Sequence, residues 1–170
     1  LHIGHLAGAY LPADIFVRYL RLQGEDVIYI CGTDEHGTPI SITADKEGIT
    51  PQEVVSYYHR SIKEAFDGVG IEFDNFSGTA RPPHYKLASD FFLQLYNKGY
   101  IKPKITLQFY CDNDKRYLPD RYVEGICPRC GESGARGDQC DKCGQIYETT
   151  TLNEPKCKLC GSTPVIKETK

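Results

Sequence analysis

The 170-residue chain contains no methionine and no tryptophan. Position 1 is Leu1, so a processed or truncated chain is expected rather than a complete translation product. No apolar stretch approaches the roughly 18 residues that a membrane span needs, which excludes a helical anchor in these residues and leaves no membrane partner to expect. Charge of one sign is also scarce. With 20 Lys and Arg against 23 Asp and Glu the net charge is −3, so nucleic acid cannot be held by bulk attraction, only by local contacts. No secretory signal pattern is present, and the cysteines are therefore expected as thiols or metal ligands in a reducing compartment, the cytoplasm.

What the chain has in quantity is cysteine in pairs. Cys127-Pro-Arg-Cys130 and Cys140-Asp-Lys-Cys143 each put two thiols on one turn, and Gly131 and Gly144 follow, able to take the positive φ with which a chain folds back over a metal. Two such turns surround one tetrahedral ion, so Cys127, Cys130, Cys140 and Cys143 are the expected zinc ligands. That site is closed and hence structural, because no coordination position is left for water. A third pair, Cys157-Lys-Leu-Cys160 before Gly161, needs partners, and Cys111-Asp-Asn-Asp114 repeats the spacing with a carboxylate in the fourth place. These outer pairs are nested around the inner four, which makes Cys111, Asp114, Cys157 and Cys160 the candidate ligands of a second zinc. Paired CxxC turns can also hold a single iron, which keeps an electron-transfer protein open as an alternative. Another is a zinc-ribbon module touching nucleic acid through local basic character from Lys102, Lys104, Arg116, Arg121, Arg129, Arg136 and Lys142.

The fold class read from the pattern is α/β. Residues 1–98 alternate helical patterns with short apolar runs, whereas residues 99–170 are short β-like pieces rich in Gly, Pro and Cys, with a boundary near Gly99. Residues 6–22 have helical apolar spacing at Ile15, Phe16, Tyr19, Leu20 and Leu22, ending at Gly24, with Pro12 predicting a kink or a late start. The apolar run 27–31 reads as a strand buried on both faces. Thr50-Pro-Gln-Glu53 is a capping box opening a helix to about residue 67 that buries Val54, Val55, Tyr58, Ile62 and Phe66. Residues 71–76 alternate like a strand, and 85–98 read as a helix with Leu87, Phe91, Phe92 and Leu95 inward. Helix, strand, helix, strand, helix implies a parallel sheet flanked by helices, followed by a small β-rich zinc-knuckle domain.

Two polar loops stand where such a sheet binds ligands. His2-Ile3-Gly4-His5 enters the first helix, where Gly lets the backbone approach a phosphate and the imidazoles can donate to its oxygens. Gly32-Thr-Asp-Glu-His-Gly-Thr-Pro39 follows the buried strand, at the carboxyl edge of the sheet, and Asp34 there is an anion able to hold a ligand ammonium.

With these residues, His2-Ile3-Gly4-His5 resembles the HIGH signature of the class I aminoacyl-tRNA synthetases. The Gly32–Pro39 loop, the run Leu118-Pro-Asp-Arg-Tyr-Val-Glu-Gly125 and the segment Gly137–Gly144 are similar to the methionyl members of that family. The resemblance covers essentially the whole chain. It implies a Rossmann-like nucleotide-binding catalytic domain interrupted by a zinc-bearing connective peptide, some members of the family carrying two metals. It further implies that His2, Gly4 and His5 contact ATP, that His2 and His5 are catalytic, and that Asp34 binds the methionine α-amino group, with His36 and Gly37 shaping the loop. The implied cofactor is zinc, and the implied substrates are methionine, ATP with Mg, and tRNA. The family's second signature, KMSKS, is missing, as are the aromatic residues of the methionine pocket and the anticodon-binding domain. These 170 residues alone are therefore expected to be inactive.

Overall fold

A computed structural model describes residues 2–169. The chain forms two compact units, Leu1–His36 with Thr50–Asp90, and Gly37–Ile49 with Phe91–Lys170.

The first unit begins on a short helical turn, α1 (Ile3–His5), widens into a π-turn at Leu6–Tyr10 and continues as α2 (Leu11–Leu22). Pro12 accounts for the join. It lacks an N–H and its ring would meet the carbonyl four residues back, so the turn ahead of it opens to a Leu11 N–H to Leu6 carbonyl bond, and Pro12 takes a first-turn position in α2. The expected apolar stripe is corrected here: Val17 is buried, but Ile15, Phe16, Tyr19 and Leu22 are exposed. Asp14, also buried, anchors the helix by accepting from Arg18 Nε at 2.6 Å and from the Glu72 N–H at 3.3 Å.

Strand β1 (Ile30–Thr33) pairs in parallel with β2 (Asn75–Gly78), Ile30 standing opposite Asn75. Both begin later than the apolar patterns suggested. Ahead of the ladder, the Asp74 carboxylate takes the Tyr29 N–H at 2.6 Å and extends the pairing through a side chain. The expectation of a strand buried on both faces is also corrected, since Ile28 is 75% and Ile30 66% exposed. Ile28 and Ile30 share one face, which stays exposed among the described residues, whereas Tyr29 on the opposite face packs its ring 4.6 Å from that of Phe73.

Between the strands lie α3 (Thr38–Glu47), which the sequence pattern did not suggest, and α4 (Pro51–Gly68). The expected capping box opens α4: Thr50 Oγ1 accepts from the Glu53 N–H, and Glu53 accepts from the Thr50 N–H at 2.8 Å. Its inner face buries Val54, Val55 and Phe66, while Ile62 is half-buried and Tyr58 lies outside the core. The Phe66 ring, 1% exposed, meets Tyr10, Phe73 and Phe76 edge-on at centroid distances of 4.7, 5.2 and 5.9 Å. Helix α5 (Pro82–Asn97) follows, but Leu87, Phe91 and Phe92 point outward rather than inward, because nothing among the described residues packs on that face.

The second unit holds two three-stranded antiparallel sheets. In one, β3 (Thr106–Cys111) lies between β4 (Arg116–Tyr117) and β8 (Val165–Thr169); in the other, β5 (Val123–Ile126) lies between β6 (Ala135–Arg136) and β7 (Asn153–Cys157). Helix α3 belongs to this unit, where Asp45 accepts from the Tyr122 hydroxyl at 3.0 Å and from Arg116 at 2.9 Å. The core is Phe109, Leu118, Tyr122, Val123, Ala135 and Leu152 together with Cys111, Cys127, Cys140 and Cys157. So many thiols in a core this small tie its packing to whatever those thiols bind.

Candidate metal centres and loop site

All eight cysteines are free thiols, and seven of them gather in two sets. Cys127, Cys130, Cys140 and Cys143 form one; Cys111, Asp114, Cys157 and Cys160 form the other, each set with its ligand atoms within 4.8 Å of one another. Three of the turns share one build. The N–H of Gly131, Gly144 and Gly161 bonds the carbonyl of Cys127, Cys140 and Cys157 at 3.1, 2.9 and 2.8 Å, and those glycines have φ of +73°, +69° and +74°. The fourth turn departs from it. Lys115 occupies the glycine's place at φ +52°, a conformation that strains a residue with a Cβ, and the Asp114 N–H points at Cys111 Sγ at 3.3 Å.

The inner set fits a four-coordinate metal. Bonds of about 2.3 Å to tetrahedral sulfurs would set neighbouring sulfurs about 3.8 Å apart; Cys127 to Cys143 is 3.8 Å and Cys130 to Cys140 is 3.7 Å. The Cys130 N–H, with that of Arg129 behind it, draws the Cys127 thiol down to about 7 against the opposing effect of burial, so the first thiolate is available near neutral pH. In the outer set, Cys157 Sγ and Cys111 Sγ lie 3.0 and 3.2 Å from Asp114 Oδ2. Thiol hydrogen bonds from Cys157, Cys160 and Cys111 hold the Asp114 carboxyl below its ordinary value, while burial pushes the Cys157 thiol up to about 12. Ser162, which the sequence did not single out, sets its hydroxyl 3.2 Å from Cys111 Sγ and 3.0 Å from Cys160 Sγ. Its only signal was the next place beyond Gly161.

In the other unit the His2 and His5 rings lie 3.9 Å apart between centroids, tilted by 44°, both exposed. His2 Nδ1 accepts from the Gly4 N–H at 3.1 Å, and His5 Nδ1 accepts from the His2 N–H at 3.3 Å. Nδ1 as acceptor places the proton of each neutral ring on Nε2, leaving an N–H donor free to face a ligand. A Cβ at Gly4 would come within 2.9 Å of the His2 ring and displace it from its bond with the Gly4 N–H.

Asp34 is exposed, and its carboxylate takes the His36 N–H at 3.2 Å. It lines a cleft of about 750 Å³ at the carboxyl ends of β1 and β2, together with Thr33, Ser77, Thr79, Arg81 and His84. His2 and His5 are not among the residues lining that cleft. The residue that sequence reasoning passed over is Glu35, with its side chain only 2% exposed. It takes the Ala80 N–H at 2.7 Å, the Thr33 hydroxyl at 2.9 Å and Arg81 at 3.2 Å, while its own N–H donates to Thr79 Oγ1 at 2.8 Å. Glu35 thereby clamps the two loops that make the cleft, and Gly78 is the residue that lets it in, because a Cβ there would collide with its carboxylate. A glutamate in a polar loop carries no sequence mark of a partner more than forty positions away.

The family model described as tRNA synthetases class I (M) matches residues 1–170. The chain is 55% identical over 168 residues to the methionine–tRNA ligase of Pyrococcus furiosus, covering 99% of this chain and 23% of that protein. It is likewise 55% identical over 170 residues to the methionine–tRNA ligase of Bacteroides fragilis, covering 100% and 25%. The chain thus spans about a quarter of the length of these relatives. Among solved structures, Mycobacterium tuberculosis methionyl-tRNA synthetase bound by methionyl-adenylate matches with a TM-score of 0.61 at 20% identity, over 99% of this chain and 28% of that one, a likeness of fold. These matches set aside a free-standing zinc ribbon and an electron-transfer protein, and the chain belongs to the class I tRNA synthetases of the methionyl type.

Proposed function

We propose that this chain is the first part of a methionine-activating catalytic domain, residues 1–98, joined to an inserted zinc-knuckle domain, residues 99–170, of a cytoplasmic methionine–tRNA ligase. The observation that carries the reading is the whole-chain match to that family; the exposed pair His2 and His5 and the two clustered ligand sets support it. In the activation step a methionine carboxylate oxygen attacks the α-phosphorus of ATP, the bond from that phosphorus to the bridging oxygen breaks, and pyrophosphate leaves with its Mg²⁺. A ribose hydroxyl at the tRNA 3′ end then attacks the methionyl carbonyl carbon and gives up its proton, the bond from that carbon to the phosphate oxygen breaks, and AMP leaves. His2 and His5 donate Nε2–H bonds to phosphate oxygens as charge builds there, and Gly4 permits the close approach. Asp34 holds the methionine ammonium and so aims the carboxylate. Glu35 is a positioning residue that keeps the Asp34 loop closed on residues 79–81.

Zinc bound by Cys127, Cys130, Cys140 and Cys143, and a second zinc bound by Cys111, Asp114, Cys157 and Cys160, would supply structure rather than chemistry, since neither set leaves an open position. The two sets fit such ions in ligand chemistry and spacing.

The test uses the full-length ligase containing this segment. His5→Ala is expected to lower the rate of adenylate formation with little change in methionine KM, because its bond strengthens in the transition state. Asp34→Ala is expected to raise methionine KM and lower the rate together, losing about 1.5–3 kcal/mol of charge-assisted hydrogen bonding. ATP–pyrophosphate exchange at varied methionine and ATP separates the two. Reversed effects would overturn the role assignment, and robust exchange by the 170 residues alone would overturn the view that this segment is incomplete.

A further inference from the structure

Beyond each ligand turn the chain comes back beside the turn's first cysteine, at Arg116, Glu132, Gln145 and Ser162. The N–H groups of Cys127, Cys140 and Cys157 bond the carbonyls of Glu132, Gln145 and Ser162 at 2.8, 3.0 and 2.8 Å, and Arg116 stands opposite Cys111 in the pairing of β3 with β4. The backbone therefore puts these four residues at equivalent places beside a thiol. Their side chains are not used alike. Arg116 donates to Asp45 at 2.9 Å, Glu132 accepts from Lys142, and Gln145 accepts from Arg129 at 2.8 Å. Of the four, Ser162 is the one turned onto the ligands, its hydroxyl oxygen 3.2 Å from Cys111 Sγ and 3.0 Å from Cys160 Sγ.

The inner set ties its two turns together outside the sulfurs. Glu132 follows the first turn and meets Lys142 on the second, while Gln145 follows the second and meets Arg129 on the first. In the outer set Arg116 is spent on Asp45 of α3, and the turn before it is the strained one, with Lys115 at φ +52°. Cys111 and Cys160 nevertheless come from segments 49 positions apart to put their sulfurs 3.5 Å from each other. Deprotonated, the three thiolates and the Asp114 carboxylate are acceptors only, and they crowd negative charge around one site. A hydroxyl lying across Cys111 and Cys160 has one proton to give and can give it to either sulfur. Its oxygen is not required as a ligand, because Cys111, Asp114, Cys157 and Cys160 already fill four positions.

From this we infer that Ser162 is a fifth residue of the outer metal set, one that binds sulfur rather than metal. Its hydroxyl donates to the thiolate of Cys160 or Cys111, draws off part of that charge, and holds the two sulfurs side by side for an ion to bridge. It is a positioning residue that sets how tightly the outer metal is held and leaves the inner one alone. The inference rests on the reading of Cys111, Asp114, Cys157 and Cys160 as metal ligands, and it adds to them a residue that the spacing of cysteine pairs does not mark.

The experiment is stepwise removal of zinc from the full-length ligase containing this segment by a chromophoric chelator, with the same protein loaded with cobalt for absorption spectroscopy. Ser162→Ala should weaken one of two zinc ions by about 10–100-fold and leave the other unchanged. The thiolate-to-cobalt charge-transfer bands of that site should move to lower energy, because a thiolate relieved of its hydrogen bond gives up an electron more readily. Ser162→Thr, which keeps the hydroxyl, should restore both affinity and bands, whereas Ser162→Val, of the same shape without it, should not. Gln145→Ala, at the equivalent place on an inner turn, should leave the outer zinc and its bands as they are. If Ser162→Ala does not fold, the Thr and Val variants carry the comparison by themselves. Unmoved bands, a loss shared equally by both ions, or equal behaviour of Ser162→Thr and Ser162→Val would overturn the role of the hydroxyl. A single zinc per chain in the unaltered ligase would overturn the outer metal set itself, and two zinc ions indifferent to Ser162 would overturn this inference alone, so the two readings fail separately.

Discussion

In the unit built on β1 and β2, loops are held by hydrogen bonds and helix caps: Glu35 ties residues 33–35 to 79–81, and Thr50 with Glu53 closes the start of α4. In the cysteine-rich unit the corresponding positions are thiols and one carboxylate, and four of those thiols are core residues. The first kind of join is made as the chain folds and needs nothing added. The second places several thiols side by side, and deprotonating them together is unfavourable until a cation neutralises them. Stability of the second unit is therefore expected to follow metal, and stability of the first to follow its internal polar network.

The sharpest way to break the comparison is Cys127→Ser. Loss of one ligand from the inner set should cost several kcal/mol, a large share of the roughly 5–15 kcal/mol that holds a domain folded. Hydrogen exchange should show the β5, β6 and β7 amides losing protection while α4 keeps its own. Equal loss in both units, or a chain with no zinc by elemental analysis, would sink the contrast.

Asp114→Ala should have a narrower effect. The inner zinc remains, and the outer set loses affinity by more than the roughly 10–100-fold that removal of an outer-shell partner alone costs. Competition with a chromophoric chelator reads this directly, and Asp114→Cys should restore tight binding.

In the first unit Glu35→Ala should destabilise by about 2–3 kcal/mol, the size expected for charge-assisted hydrogen bonds lost from a buried carboxylate. Chemical denaturation followed by the protection of β1 and residues 79–81 would report it, with zinc content unchanged.

The smallest effect is at the cap of α4. Thr50→Ala should cost about 1 kcal/mol. The Thr50 N–H and hydroxyl hold the Glu53 carboxyl below its ordinary 4.5. A depressed carboxyl pKa contributes stability that is present above the unfolded value and lost as pH falls through the folded one, so the effect belongs to pH below about 4.5. Glu53→Gln should flatten that acid limb; an unchanged limb would show that the Glu53 half of the box adds nothing.

Much of this was legible in the sequence where the determinant is local. A CxxC turn and its glycine are complete within five residues, and the box Thr50-Pro-Gln-Glu53 within four, so both could be read directly. The apolar stripes of α2 and α5 misled, because periodicity marks a face that is able to pack and does not say whether a partner is there. Phe91 and Phe92 are exposed for that reason. Helix α3 was overlooked because a polar loop and a helix start share Gly, Thr and Pro.

By itself, then, the sequence determined what short-range geometry controls: the CxxC turns, the cap of α4, the position of Asp34 after a strand and the His2–His5 turn. Only the tertiary structure decided what depends on distant backbone pairing. The register of β3 with β8, Tyr110 opposite Val165, brings Cys111 and Asp114 up to Cys157 and Cys160. The parallel register of β1 with β2 brings Thr79 and Arg81 to Glu35. The contact of Gly137 with Asp120 sets Arg136 beside Arg121. In each case the partner is chosen by hydrogen bonds between segments far apart in the chain, which no local spacing encodes.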